Sequence, residues 1–431
     1  MALLRGLSHR RSGHGRHVSA GAVDRRWTPR PACHGGGDHS IAHWIQNEQK
    51  FATNIFHINA DVLPSLYFRF GEDFFKGKRN IGYWAWELSQ CPREFDVAIN
   101  MMDEIWGISE FVTESFRTRS KVPVVNMPLA VSLPTLTQHY TKTQFGLDPN
   151  CFQFLFNFDA ASYLERKNPL AVIQAFKRAF PRGDERVRLL LKTMNVPHAN
   201  EMWRAVEAMA AEDSRIRIMD KRLSRDEVLG LNSVCDAFVS LHRSEGFGRN
   251  IAEAMLLGKP VVSTNYSGSV DFAKAGTACV VDYKLIPVPA SVYPFWKDQV
   301  WADPDTEHAA DLMRRLARDE AFRTTIARAG QAFVKENFNE ETIGARYAAR
   351  IDEFERTRVR VPKPISEPPE KKARVEREDE AIVENVQRGI RSRFYSHGRY
   401  SPTRETGTHH FHRLLAEFFA GSSADAVKER P

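Results

Sequence analysis

Between residues 53 and 356, short apolar runs alternate with stretches of helical period. Residues 152–158, 187–192, 236–241, 261–264 and 279–282 have the length and composition of strands buried on both faces of a parallel sheet. Between them, residues 168–180 set Leu170, Ile173, Ala175 and Phe176 at core-facing spacing. Ser224 and Glu227 form a capping box ahead of Val228 and Leu231. Residues 251–257 read as a short helix stopped by Gly258, and further helices start at Glu307, Glu320 and Glu341. Upstream, residues 54–59, 80–88, 104–109 and 122–127 repeat the strand pattern, with Ser109 placed to cap a helix from Glu110. This alternation predicts an α/β chain of two Rossmann-like doubly wound domains.

The boundaries follow from where the pattern stops. Residues 1–40 are rich in Arg, His and Gly without a sustained period and read as a disordered basic segment. Residues 41–140 make the first domain, which at this length is incomplete, and residues 141–356 the second. Residues 357–375 hold Pro362, Pro364, Pro368 and Pro369 and read as a linker to a tail, 376–431.

Charge changes this picture only at the ends. Residues 1–40 carry seven arginines against two aspartates, and residues 357–431 carry 15 basic against 11 acidic side chains. The middle has 39 basic and 41 acidic groups, so the net +7 belongs to the ends and argues against a nucleic-acid partner. No apolar run reaches the length of a membrane span. Five scattered cysteines with no Cys-x-x-Cys pairing predict a reducing, cytoplasmic setting and no structural zinc.

The candidate chemistry lies in Ser244-Glu245-Gly246-Phe247-Gly248-Arg249-Asn250-Ile251-Ala252-Glu253, a turn between a predicted strand and a predicted helix. In an open α/β sheet such a turn faces the ligand crevice. The glycines admit close backbone approach, and the helix start suits a diphosphate. Glu245 and Glu253 can hold hydroxyls at opposite ends of one ligand. A basic pair, Arg166 and Lys167, falls at the first βα turn of the same domain, and Lys192 ends its second strand.

These residues resemble the Glu-x7-Glu signature of retaining glycosyltransferases of family 4, which have the GT-B fold. Glu245-Gly246-Phe247-Gly248 is similar to that family's Glu-x-Phe-Gly and Glu253-Ala254-Met255 to its Glu-Ala-Met, with Gly258-Lys259-Pro260 and Ser267-Gly268 following in order. In the first domain, Tyr83-Trp84-Ala85-Trp86-Glu87-Leu88 and residues 103–111 resemble one subgroup. The resemblance implies transfer of a sugar from a nucleotide-sugar donor to a glycan or lipid-linked glycan, with no metal or other cofactor. It implies catalytic roles for Glu245, Lys167 and Arg166. It implies donor contacts from Ser244, Gly246, Phe247, Gly248, Arg249, Asn250, Glu253 and Lys192, with Glu245 on the sugar and Glu253 on the ribose. Trp86 and Glu87 fall on the acceptor side, and the last helix is expected to cross back onto the first domain. Peripheral membrane contact and oligomeric state are left open.

The first domain departs from the family's pattern, because no earlier strand and glycine-rich loop is found upstream of Phe51. An impaired nucleotide-sugar-binding module or scaffold therefore stays as the alternative. Residues 283–303 read as a long insertion-like loop. Residues 376–420 resemble the C-terminal end of Rieske-type oxygenase large subunits, with Asp379 matching an iron-site carboxylate; lacking histidine partners, it is expected to bind no iron.

Overall fold

The computed structural model describes residues 2–5 and 51–356, all within one compact unit. Two parallel sheets carry it. The first has five strands in chain order, β1 (Ala2–Arg5), β2 (Thr53–His57), β3 (Arg79–Trp84), β4 (Glu104–Gly107) and β5 (Val124–Asn126). The last four match the sequence reading to within a few residues. β1 is a correction, since the reading put residues 1–40 outside the fold. Ala2–Arg5 pairs parallel with β2, Ala2 opposite Asn54 and Arg5 opposite His57. A buried strand needs hydrogen-bond partners along both edges, and these four residues are too few to show a period. The Asp379 reading and the tail lie outside the described residues.

Three helices accompany this sheet: α1 (Leu63–Phe70), α2 (Asp96–Asn100) and α3 (Glu110–Arg117). Ser109 caps α3 as expected, its Oγ accepting the Val112 amide at 3.2 Å.

The second sheet has six strands: β6 (Phe152–Asn157), β7 (Val187–Thr193), β8 (Ile216–Asp220), β9 (Ala237–Ser240), β10 (Val261–Thr264) and β11 (Cys279–Val281). Their spatial order is β11-β10-β9-β6-β7-β8, all parallel. Chain order therefore reverses between β6 and β9. Helices α4 (Leu164–Lys167), α5 (Pro169–Ala179), α6 (Glu201–Ala211), α7 (Arg225–Val234) and α8 (Arg249–Leu256) make the crossovers. The capping box at Ser224 and Glu227 forms with both reciprocal bonds. On α5, Val172, Ile173, Ala175 and Phe176 are buried in the core that Phe154, Leu189 and Leu191 share.

The expected loop at 283–303 is instead an antiparallel hairpin, β12 (Tyr283–Pro287) and β13 (Val300–Pro304), with a twelve-residue tip, 288–299. It is called the strap below. Helices α9 (Thr306–Arg318), α10 (Glu320–Asn337) and α11 (Glu340–Arg356) end the described chain. α11 does return to the first sheet. Arg350 Nε donates to Oε1 of the fully buried Glu104 at 3.0 Å, Trp106 Nε1 donates to the same oxygen at 2.7 Å, and Arg350 also reaches Oε2.

Candidate functional site

In an open α/β sheet the ligand crevice lies at the carboxyl ends of the strands where their order reverses. Here that is the gap between β6 and β9. After β6 come α4, Arg166 and Lys167; after β9 come His242 and the turn 243–248. Backbone strain concentrates at these ends. The described non-glycine residues with positive φ are Tyr163 and Asn168 after β6, Asn195 after β7, Ser267 after β10, and Ser291, Phe295 and Asp298 in the strap. Such conformations cost free energy and persist where surrounding structure enforces them, most often at functional sites.

The structure brings the predicted basic pair and Glu245 together. Arg166 Nη1 stands 3.1 Å from Glu245 Oε2, and Lys167 Nζ pairs with Glu245 Oε1. Arg166 Nη1 also donates to the Ser244 carbonyl at 2.8 Å, and its Nη2 lies 3.9 Å from Glu87 Oε1. Burial pushes the Glu245 carboxyl up, but Lys167 and Arg166 outweigh it and hold it well below the usual carboxylate range. Burial lowers the Lys167 ammonium, with Glu245 opposing. For Arg166, Glu245 and Glu87 overcome burial and keep the cation. With Glu87 counted, the cluster sets two cations against two carboxylates, Glu245 in close contact and Glu87 3.9 Å from Arg166.

The turn is held tightly around them. Glu245 N donates to Ser267 Oγ at 2.8 Å and Gly268 N to the Glu245 carbonyl at 2.8 Å. A Cβ on Gly268 would stand 2.0 Å from the Gly246 carbonyl, so only glycine fits. Gly248 has φ +91° and offers no side chain to cap α8, leaving that helix's first turn uncapped. From the first domain, Ser109 Oγ donates to the Gly246 carbonyl at 2.6 Å and Ser244 Oγ to the Glu87 carbonyl.

The remaining predicted residues take different places. Glu253, 3% exposed, is gripped in bidentate fashion by Arg225, at 2.8 and 2.7 Å, with Arg249 Nη1 4.0 Å away. Asn250 Nδ2 donates to the Asn157 carbonyl at 2.8 Å and ties α8 to the end of β6. The Phe247 ring is buried against Phe272 and Phe338, so only its backbone can face a ligand. Lys192 is buried, with Asp159, Asp220 and Arg222 as its charged neighbours, away from Glu245. Trp86 is buried as a wall against Phe95, Tyr293 and Phe295, its Nε1 donating to the Gln90 carbonyl. Sequence reasoning missed Arg225 and placed Tyr293 in the loop 283–303 without a role; Tyr293 donates from Oη to Glu87 Oε2 at 2.6 Å. His242, fully buried, has Nδ1 3.1 Å from Ser240 Oγ and Nε2 3.3 Å from Ser269 Oγ. Burial drives it down to about 4, so it is neutral at pH 7.

Among the described residues no group of three or more His, Cys, Asp or Glu is arranged to hold a metal ion, and Cys91, Cys151, Cys235 and Cys279 are buried and free. No described helix is long and apolar enough to cross a membrane. The site offers a buried cation pair, an uncapped helix start and two carboxylates at different depths. That combination suits an anionic ligand carrying hydroxyl groups.

Residues 160–333 match the family model of glycosyl transferases group 1. Residues 321–421 match that of the ring hydroxylating alpha subunit, catalytic domain. The second match begins earlier than the tail that suggested it, inside α10, and overlaps the first over 321–333. Through 356 its residues form α10 and α11 of the fold just described. A comparison with curated protein sequences found no match. Among solved structures, a glycosyltransferase from Rickettsia africae is similar at a TM-score of 0.54 and 16% identity, over 74% of this chain and 79% of that one. HepE of Anabaena, in complex with UDP and glucose, is similar at 0.50 and 17%, over 70% and 78%. Sucrose-phosphate synthase of Thermosynechococcus elongatus is similar at 0.50 and 16%, over 70% and 73%. The fold is that of the GT-B glycosyltransferases, and residues 160–333 of it match the group 1 glycosyl transferase model.

Proposed function

We propose that the chain is a retaining glycosyltransferase that moves a sugar from a nucleotide-sugar donor to a glycan or lipid-linked glycan in the cytoplasm. The observation that supports this most is the Arg166–Lys167–Glu245 cluster at the β6/β9 reversal, beside the uncapped start of α8. Arg166, Lys167 and the amides at the start of α8 hold the diphosphate and stabilise it as it leaves. Removing one such preorganised group costs on the order of 3 kcal/mol of barrier. Glu245 lies nearest the cations and holds the donor sugar. Glu253, further along α8, takes the ribose hydroxyls once Arg225 yields. The departing phosphate accepts the acceptor's proton on the same face, so no double displacement is needed. The cations do the work of a metal, and turnover should stay within about twofold in EDTA.

The test is incubation with the common nucleotide sugars and a panel of glycosides, following nucleoside diphosphate release and the anomeric proton of the product by NMR. Product with the donor's anomeric configuration supports the proposal. Inversion overturns the retaining mechanism. Nucleotide bound without any release would favour a binding module.

A further inference from the structure

The strap touches both sides of the site. On the donor side, the Ala302 amide donates to the Arg243 carbonyl at 2.9 Å, and Arg243 Nη1 donates to Asp303 Oδ1 at 2.6 Å. Arg243 N donates in turn to the Arg166 carbonyl at 2.8 Å, so a single residue, Arg243, stands between the strap and the cation pair. On the acceptor side, Gln299 Nε2 donates to the Gln90 carbonyl at 2.8 Å and its Oε1 accepts the Gln90 amide at 3.2 Å. Between these anchors Tyr293, 5% exposed, packs on Trp86, Tyr163 and Trp301 and points its hydroxyl at Glu87. Three strained residues, Ser291, Phe295 and Asp298, shape the tip that does this. Burial raises the Tyr293 phenol well above its ordinary range, which keeps it a donor.

The geometry points to Tyr293 as a positioning residue: it fixes Glu87 Oε2, so that Oε1 faces Arg166 and the carboxylate is held ready for the incoming acceptor hydroxyl. This rests on the donor-site reading above. Without the phenol, Glu87 loses the contact that sets its direction. Of the donor's own contacts, Lys167, Glu245 and the α8 amides make no hydrogen bond to the strap tip, and Arg166 meets it through Glu87.

The experiment uses the full chain as wild type, Tyr293→Phe, Glu87→Gln and the double variant. Tyr293→Phe keeps the ring and its packing. Hydrogen exchange is measured over residues 86–90, together with nucleoside diphosphate binding and the rate of UDP-glucose and GDP-mannose consumption. Tyr293→Phe should raise exchange at 86–90 about tenfold and lower kcat about tenfold, with donor KM within twofold. Glu87→Gln should lower kcat similarly, and the double variant should lose no more than Glu87→Gln alone. Unchanged exchange and kcat, a donor KM rising as far as kcat falls, or losses that multiply in the double variant would each overturn the assignment. A wild type that binds no nucleoside diphosphate would overturn the donor-site reading and this inference together; normal binding with an indifferent Tyr293→Phe overturns this inference alone.

Discussion

Replacing Glu245 by Gln should have two effects of opposite sign, and together they are diagnostic. The carboxylate faces Arg166, whose side chain is 4% exposed, and Lys167, at 15%. Taking away its charge leaves Lys167 without its ion-pair partner and Arg166 with only Glu87, 3.9 Å away. Breaking a buried pair by removing one member costs about 3–5 kcal/mol, because the charge left behind is not solvated. The amide keeps one acceptor oxygen, so the low end, about 3 kcal/mol, is expected. In a fold of this size that lowers Tm by at least about 5 °C. A nucleoside diphosphate would then meet cations no longer satisfied by Glu245. Its affinity should hold or rise, and it should restore most of the lost Tm, while sugar turnover falls steeply. Differential scanning fluorimetry with and without UDP or GDP, alongside turnover, reads all three. A Tm within 1 °C of wild type in the ligand-free variant would refute the buried triad. A loss of nucleoside diphosphate affinity matching the loss of turnover would refute the placement of Glu245 on the sugar.

Other substitutions test neighbouring parts of the account. Glu253→Gln should weaken a bare nucleoside diphosphate by roughly 1.5–3 kcal/mol, tenfold or more by calorimetry, since the ribose is present in that ligand. Arg350→Ala leaves the buried Glu104 without its bidentate partner and should cost about 3 kcal/mol, seen as a lower urea midpoint at unchanged m-value. His242, driven down to about 4 by burial, binds its proton in the unfolded chain before the folded one. Its contribution to stability is therefore lost as pH falls from 6.5 towards 4, by about 3 kcal/mol. Comparing wild type with His242→Gln in urea at pH 7 and pH 4.5 isolates it from Asp271, which burial raises to about 6 and which acts in the opposite direction.

The second domain was legible because strands buried on both faces read as continuous apolar runs, and β6, β7, β9, β10 and β11 are such strands. β8 was not, since it lies at the sheet edge and its five residues mix the exposed Arg217 and Asp220 with the buried Ile216. The strap was invisible for a related reason. β12 is mostly exposed, and its order comes from pairing with β13 and from the docked tip, not from an apolar face of its own. The basic pair and Glu245 were found from local sequence, but their contact spans 78 positions. The partners that reset the expected roles lie at distances no local pattern reports: Arg225 is 28 positions from Glu253, and Tyr293 is 206 from Glu87. Ala2–Arg5 escaped because four residues carry no period.

The central claim is that Arg166, Lys167 and the turn before α8 form a nucleoside diphosphate site. Isothermal titration of the full chain with UDP, GDP, ADP and CDP, repeated on Lys167→Met, tests it most directly. The account predicts saturable binding of at least one nucleotide by the wild type, weakened at least tenfold by the substitution. Binding of none of the four at millimolar concentration, or binding indifferent to the loss of Lys167, would contradict it.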